Sequence, residues 1–309
     1  MATRYCPLAA EALLHIEGPD SLTFLQGQTS CDTREISPEQ AALGVYCTPQ
    51  GRVVCDFLLS QLGPDHYAMR LRRALREPAA AVFAKYIVFS KAELDDARDD
   101  WSAFGVWGDE AGQDLRAIFP QLPAGALACT SGEGFVLVQL DNAGERFECY
   151  LRKDSPLHDT MTKDLALRQE SEWQRLDIES GIARIELPII ESEVPQVLNY
   201  DLTGHVRFDK GCYTGQEVVA RLHYRGKSKR RSYLVHLSAT AASGEPVFVA
   251  GKSQSTGTII NTVSGEPFVA LAALTTASLE EDLRVGDPQG PRLEVGQLPY
   301  SVADASDAS

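Results

Sequence analysis

No stretch of the 309-residue chain approaches the roughly 18–20 consecutive apolar residues that cross a bilayer as a helix. The longest candidate, Pro267–Leu274, has the length of a strand. Met1–Glu11 lacks a basic region followed by a long apolar run, so no secretory signal is expected there. These absences predict a soluble, cytoplasmic protein. The seven cysteines contain no C-x-x-C pair and are odd in number. That disfavours a disulfide framework, a structural zinc and a self-ligated cluster. The histidines (His15, His66, His158, His205, His223 and His236) show no i, i+4 pairing, so no metal site is predicted and each reads as a surface or packed residue. Phosphate and dinucleotide fingerprints are missing too. The net charge of −14 opposes generic binding to nucleic acid or an anionic membrane.

What is present is an ordinary globular composition, 44% apolar and 23% charged, in a chain too long for a single core. Strand-like and helical segments alternate through the first two thirds. Ala12–Glu17, Val53–Ser60, Tyr67–Leu71, Ile87–Phe89, Ala103–Trp107, Gly134–Leu140 and Arg146–Arg152 read as strands. Helices are expected after an Asp20 N-cap, over Ala74–Tyr86, over Asp159–Arg168, and after a Ser171/Gln174 capping box that Gly181 would stop. The acidic run Glu93–Asp100 reads as a boundary. Beyond Arg231 the pattern is all-β: Ser232–Leu237, Pro246–Ala250, Thr256–Val263 and Pro267–Leu274, separated by Gly-rich turns, predict a small barrel. The tail Ser301–Ser309 is small and polar.

Chemistry concentrates in Asp209-Lys210-Gly211-Cys212-Tyr213-Thr214-Gly215-Gln216-Glu217. Thr214 and Glu217 have capping-box spacing, so a helix should begin near Gly215, burying Val218, Val219 and Leu222. Cys212 then precedes a helix N-terminus with Lys210 two residues away, and both features favour a thiolate. Gly211 and Gly215 remove Cβ bulk and permit close approach of backbone and ligand. Spacing alone leaves two readings open: a functional thiol, or a helix cap with a buried structural cysteine. The other six cysteines read as small buried hydrophobes. Downstream, residues 221–231 hold Arg221, Arg225, Lys227, Lys229, Arg230 and Arg231 with no acid, either a solvated linker or a docking strip for an anion.

The segment K-G-C-Y-T-G-Q-E, continuing through Val218-Val219-Ala220-Arg221 and Tyr224-Arg225-Gly226, resembles the signature of the YgfZ family. Phe24-Leu25-Gln26-Gly27-Gln28-Thr29 with Asp32, Pro49-Gln50-Gly51-Arg52, Lys85-Tyr86 with Val88-Phe89-Ser90, Glu179-Ser180-Gly181, Pro195-Gln196 with Leu198-Asn199, and Leu298-Pro299-Tyr300 match further family motifs. The resemblance covers residues from about 10 to 301, weakly over 101–165. It implies an α+β fold, a three-lobed ring as in the glycine-cleavage T-protein (aminomethyltransferase), with two α+β lobes and a small C-terminal β-barrel. Residues 1–228 would form a folate-binding region of two interleaved lobes (about 1–100 with 166–228, and about 101–165), and 229–309 the barrel.

The resemblance also implies tetrahydrofolate or a derivative as cofactor, and iron–sulfur client enzymes, including tRNA-thiomethylating ones, as partners. Cys212 and Lys210 become the functional pair. Trp173, which spacing alone assigns to the core, falls where the family carries a folate-associated tryptophan. Gln26, Gly27, Asp56, Asn199, Gly211, Tyr213, Gly215, Gln216, Glu217, Arg221 and Arg225 are the other folate-binding candidates, the arginines as partners for a glutamate tail. Where some members offer a second aromatic, this chain offers Glu11. Two alternatives stand beside the accessory-factor reading. A one-carbon (aminomethyl) transferase is disfavoured because the T-protein's paired aspartate is here Cys55-Asp56. A direct tRNA-binding module is disfavoured because only Tyr224 and Tyr233 lie near the basic strip and the overall charge is repulsive.

Overall fold

The computed structural model describes residues 3–226 and 228–302. The chain divides into two compact units, Met1–Gly44 with Phe57–Glu170, and Val45–Asp56 with Ser171–Ser309.

In the first unit β1 (Arg4–Pro7) and β2 (Glu11–Glu17) lead into α1 (Ser21–Gln28). The hairpin of β3 (Ala42–Cys47) and β4 (Val53–Gly63) follows, its tip belonging to the second unit. With β5 (His66–Arg72), α2 (Arg76–Ile87) and β6 (Glu93–Asp95) these strands make a five-stranded sheet ordered β3-β4-β5-β2-β6. A second sheet comes from β7 (Trp101–Trp107), α3 (Ala111–Leu115), β8 (Cys129–Gly132), β9 (Phe135–Gln139), β10 (Arg146–Arg152), α4 (Leu157–Asp164) and β11 (Ala166–Leu167), in the order β11-β1-β7-β10-β9-β8. Alternation along β2 explains how the two sheets share a core. Leu13 packs with Leu58 and Ala68 against Val136, Val138 and Tyr150 of the other sheet.

The same face carries a polar layer. Arg70, 5% exposed, forks onto Glu148, with Nε donating to Oε2 at 2.9 Å and Nη2 2.8 Å from Oε1. The Tyr150 hydroxyl donates to Glu148 at 2.6 Å, and burial holds that hydroxyl's pKa well above its ordinary value. Glu11 accepts from Arg72 at 2.9 Å. One strand over, His15 Nδ1 lies 2.9 Å from His66 Nε2, beside the Glu17–Arg98 ion pair. Burial is the main reason the His15 pKa falls to about 4.

Several local expectations change. Ile87–Phe89 is not a strand: Ala79, Phe83 and Ile87 extend one apolar helical stripe, after which Val88 and Phe89 sit on an exposed turn. The Asp20 carboxylate accepts from the Lys91 amide and does not cap α1. Glu93–Asp95, inside the acidic run, pairs with His15–Glu17 as an edge strand. Helix α4 ends at Asp164, freeing Ala166 and Leu167 to pair in parallel with β1.

The second unit contains the hairpin tip, α5 (Glu170–Glu179), α6 (Gln216–Arg225) and the barrel. Helix α5 begins one residue before Ser171, so Ser171 lies inside the first turn and not at the cap. Gly181, at φ +70°, supplies the expected left-handed stop. The strands β12 (Arg230–Leu237), β13 (Pro246–Val249), β14 (Ser255–Thr262), β15 (Val269–Thr275), β16 (Leu283–Val285) and β17 (Arg292–Val295) close as β12-β15-β14-β13-β16-β17. Val235, Val247, Ile259, Ala272 and Leu283 are among the side chains that fill it.

Replacing Arg70 by Met leaves Glu148 buried without its cation and should cost about 3–5 kcal/mol, read from urea unfolding. The His15 ring gives a second expectation. Between pH 6.5 and about 4 the unfolded chain binds a proton there that the folded chain refuses. Stability therefore falls with pH through that window, by roughly 3 kcal/mol at most, and levels off below it. The same titration on His15→Phe should lose this component.

Candidate functional site

Helix α6 starts because Gly215 adopts φ +82° as its N-cap. A Cβ there would meet the Thr48 carbonyl oxygen at 2.4 Å, so only glycine fits. The cap position thus falls on Gly215, one residue after the Thr214 that the sequence pattern suggests, and Glu217 occupies the first turn, where the helix dipole favours a carboxylate. Gly51, in the hairpin-tip turn, approaches so closely that a Cβ would lie 2.9 Å from Val218 Cβ. Val219 is buried as expected and its carbonyl accepts from Gln196 at 2.7 Å, whereas Val218 is exposed.

The loop leading to this helix has two anchors and a projecting tip. Phe208 stacks on His223 of α6, with centroids 3.7 Å apart and planes 12° from parallel, and Tyr224 closes on both edge-on. Tyr213 is buried, and desolvation raises its hydroxyl pKa. Lys210 is buried as well, its Nζ 5.2 Å from the Tyr213 ring centroid, a cation–π distance. Between these anchors Gly211 and Cys212 are exposed, and nothing lies within 4 Å of where a Gly211 Cβ would stand.

Cys212 is the one exposed cysteine; Cys6, Cys31, Cys47, Cys55, Cys129 and Cys149 are buried, and none of the seven is in a disulfide. Burial pushes the Cys47 and Cys129 thiols up to about 12, and those of Cys55 and Cys149 higher still.

Other candidates have structural partners. Asp56 is 2% exposed: Oδ2 accepts from Arg184 Nε and Oδ1 from the Ile185 amide, each at 2.6 Å. Asn199, left-handed at φ +59°, donates through Nδ2 to the Ser232 carbonyl at 2.7 Å. Trp173 is 3% exposed on α5. Gln216 is half-buried at the start of α6. In the first unit, the Gln26 amide bridges Thr33 and Asp32, and Gly27 has open space around its Cβ direction. Glu11 is held by Arg72 and Arg70.

The basic strip is not one surface. Arg231 is buried on Asp201, and Arg230 pairs with Glu193 at 2.9 Å. Arg221, Arg225 and Lys229 are exposed, while Lys227 lies outside the described residues, as does most of the Ser301–Ser309 tail. Sequence reasoning missed Arg184, Phe208 and the stacking role of His223. Phe208 stood only two residues from Lys210, but nothing local pairs it with His223.

This exposure pattern predicts that iodoacetamide labels Cys212 in the native protein at least about a hundredfold faster than any other cysteine, because the rest react only through opening of their cores. Peptide mass spectrometry reads the outcome, and a second cysteine labelled as quickly would contradict it.

The GCVT N-terminal domain family matches residues 8–131. The chain is 32% identical to the tRNA-modifying protein YgfZ of Klebsiella pneumoniae (strain 342), over 95% of this chain and 92% of that one. It is 32% identical to the protein of the same name from Escherichia coli O6:H1, with the same coverage. Among solved structures, the glycine cleavage system aminomethyltransferase T from Bartonella henselae superposes with a TM-score of 0.77 over 97% of this chain and 87% of that one, at 14% identity. The α+β fold ending in a closed six-stranded barrel is thus that of aminomethyltransferase T. No helix among the described residues is long and apolar enough to cross a membrane. With this identity along nearly its full length, the chain belongs to the YgfZ family of tRNA-modifying proteins.

Proposed function

We propose that the protein is a tetrahydrofolate-binding accessory factor, acting in the cytoplasm, that supports assembly or repair of iron–sulfur enzymes and through them tRNA modification, with Cys212 as its working thiol. The observation that carries this reading is the projecting Gly211–Cys212 tip, held between the buried Lys210–Tyr213 pair and the Phe208–His223 stack. A rigidly anchored, accessible thiol can exchange with a client or contact its metal centre, whereas the six buried cysteines cannot.

Three buried oxygens of the second unit, Gln196 Oε1, Asn199 Oδ1 and Ser232 Oγ, have no hydrogen-bond partner among the described residues. Amide oxygens only accept, and the edge of a pterin offers N–H donors, so Gln196 and Asn199 fit as holders of that edge. Arg221 and Arg225 fit the glutamate tail. When bound, the folate would supply a reduced pterin able to carry one-carbon units.

Aminomethyl transfer is less well supported. A general base needs hydrogen-bond reach to the proton it removes. Asp56 is 2% exposed and each of its oxygens accepts a short hydrogen bond from the fold, one of them from a guanidinium. The stack of Phe208, His223 and Tyr224 adds aromatic surface beside Arg221 and Arg225, but Arg230 and Arg231 are tied into the fold. Indirect action on tRNA remains the better reading.

In cells lacking the protein, Cys212→Ala should fail to restore tRNA thiomethylation while keeping the wild-type melting temperature and its affinity for tetrahydrofolate. Full restoration by that variant would remove the thiol from the mechanism. A wild-type protein without measurable tetrahydrofolate affinity would remove the cofactor.

A further inference from the structure

We propose that the first unit carries a separate binding pocket for a short-chain monocarboxylate, with His15 and Arg98 as its donors. A cavity of about 190 Å³ opens where β2 and β7 pass each other. Its walls include Leu8, Leu13, Ala103 and Trp101, and both His15 and Arg98 line it.

His15 is 1% exposed, and its Nε2 is buried without a partner among the described residues. Which proton that nitrogen carries follows from its neighbours. A carboxylate oxygen of Glu17 lies 3.3 Å from His66 Nε2, nearer than Arg98 Nη1 at 3.5 Å, which is already committed to Glu17, so an N–H is favoured there over a lone pair. His66 Nε2–H then donates to His15 Nδ1 at 2.9 Å, which makes Nδ1 the acceptor of the neutral His15 ring. Nε2 therefore holds the proton. An unsatisfied buried N–H is costly, and an oxygen acceptor in the cavity would relieve it.

Arg98 supplies the charge. Its Nη1 pairs with Glu17 and its Nε with Asp95, while Nη2 makes no hydrogen bond among the described residues. The acids that line the cavity are already neutralised: Glu11 by Arg72, and Asp99 by Lys153 at 3.0 Å. What the site lacks is an anion that accepts from an imidazole N–H and a guanidinium. The apolar walls suit a tail of a few carbons, and the volume excludes a folate-sized molecule, for which a pocket of several hundred Å³ is typical. A carboxylate with a short alkyl chain meets all three conditions.

Side-chain 15N–1H spectra of the whole chain, titrated with propionate, test this directly. Wild-type protein should show a saturable shift of the His15 resonances, with little response to propionamide, which has the same shape and no charge. His15→Phe should weaken propionate binding about tenfold or more, as loss of a hydrogen bond to a charged group implies. Ala103→Leu, which fills the cavity and leaves both donors in place, should abolish it. Absence of a saturable shift in the wild type, an equal response to propionamide, or an undiminished response in Ala103→Leu would each overturn the proposal.

Discussion

A single buried guanidinium organises the second unit. Arg184 donates through Nε to Asp56 at the hairpin tip and lies 3.6 Å from Asp177 on α5. Its own backbone is clasped by Asn261 of the barrel, whose side chain accepts from the Arg184 amide and donates to its carbonyl, both at 2.8 Å. The ladder shifts register between Ile259 and Asn261, and such a bulge is how a strand re-aims a side chain. Three segments far apart in sequence thus converge on one residue. An ion pair this deep contributes little net stability against an apolar substitute, but losing either partner strands a charge. It therefore fixes position more than it adds free energy.

Position is what the Cys212 loop requires. The hairpin tip held by Asp56 also carries the Gly51 turn, and that turn and Thr48 press against the start of α6 at Val218 and Gly215. A second hold comes from Val53, whose amide donates to the Glu193 carbonyl and whose carbonyl accepts from the Glu191 amide, both at 2.9 Å. The helix terminus behind Cys212 is therefore set by contacts that leave no room for a side chain at either glycine. Here the signature glycines have a steric account: one permits a left-handed cap, the other a backbone approach.

Much of this was legible in the sequence where the cause is local. Strand alternation, the barrel's turn chemistry, the stop at Gly181 and the buried character of most cysteines depend on near neighbours, and they appear as read. Features that depend on distant partners were not legible. Asp20 and Thr214 look like caps, yet the first accepts from Lys91 and the second is displaced by Gly215. The run 221–231 looks uniformly basic, yet Arg230 and Arg231 belong to Glu193 and Asp201. His15 and His66 show no spacing that suggests a pair, because β-strand registry, not sequence distance, sets them side by side. Ion pairs and stacks are tertiary facts, and composition cannot assign them.

The likeness to aminomethyltransferase T sharpens the chemical contrast. A TM-score of 0.77 at 14% identity means that backbone paths persist while most side chains differ, so the fold alone carries no reaction. In this chain the Asp56 carboxylate accepts from an arginine and from a backbone amide, which makes it a structural anchor of the second unit. The exposed thiol is that of Cys212, at the tip of a loop whose flanking residues are locked by stacking and by a buried lysine over an aromatic ring. A carboxylate held as a strut and a sulfur exposed beside a helix terminus are the two features on which the proposed thiol role rests.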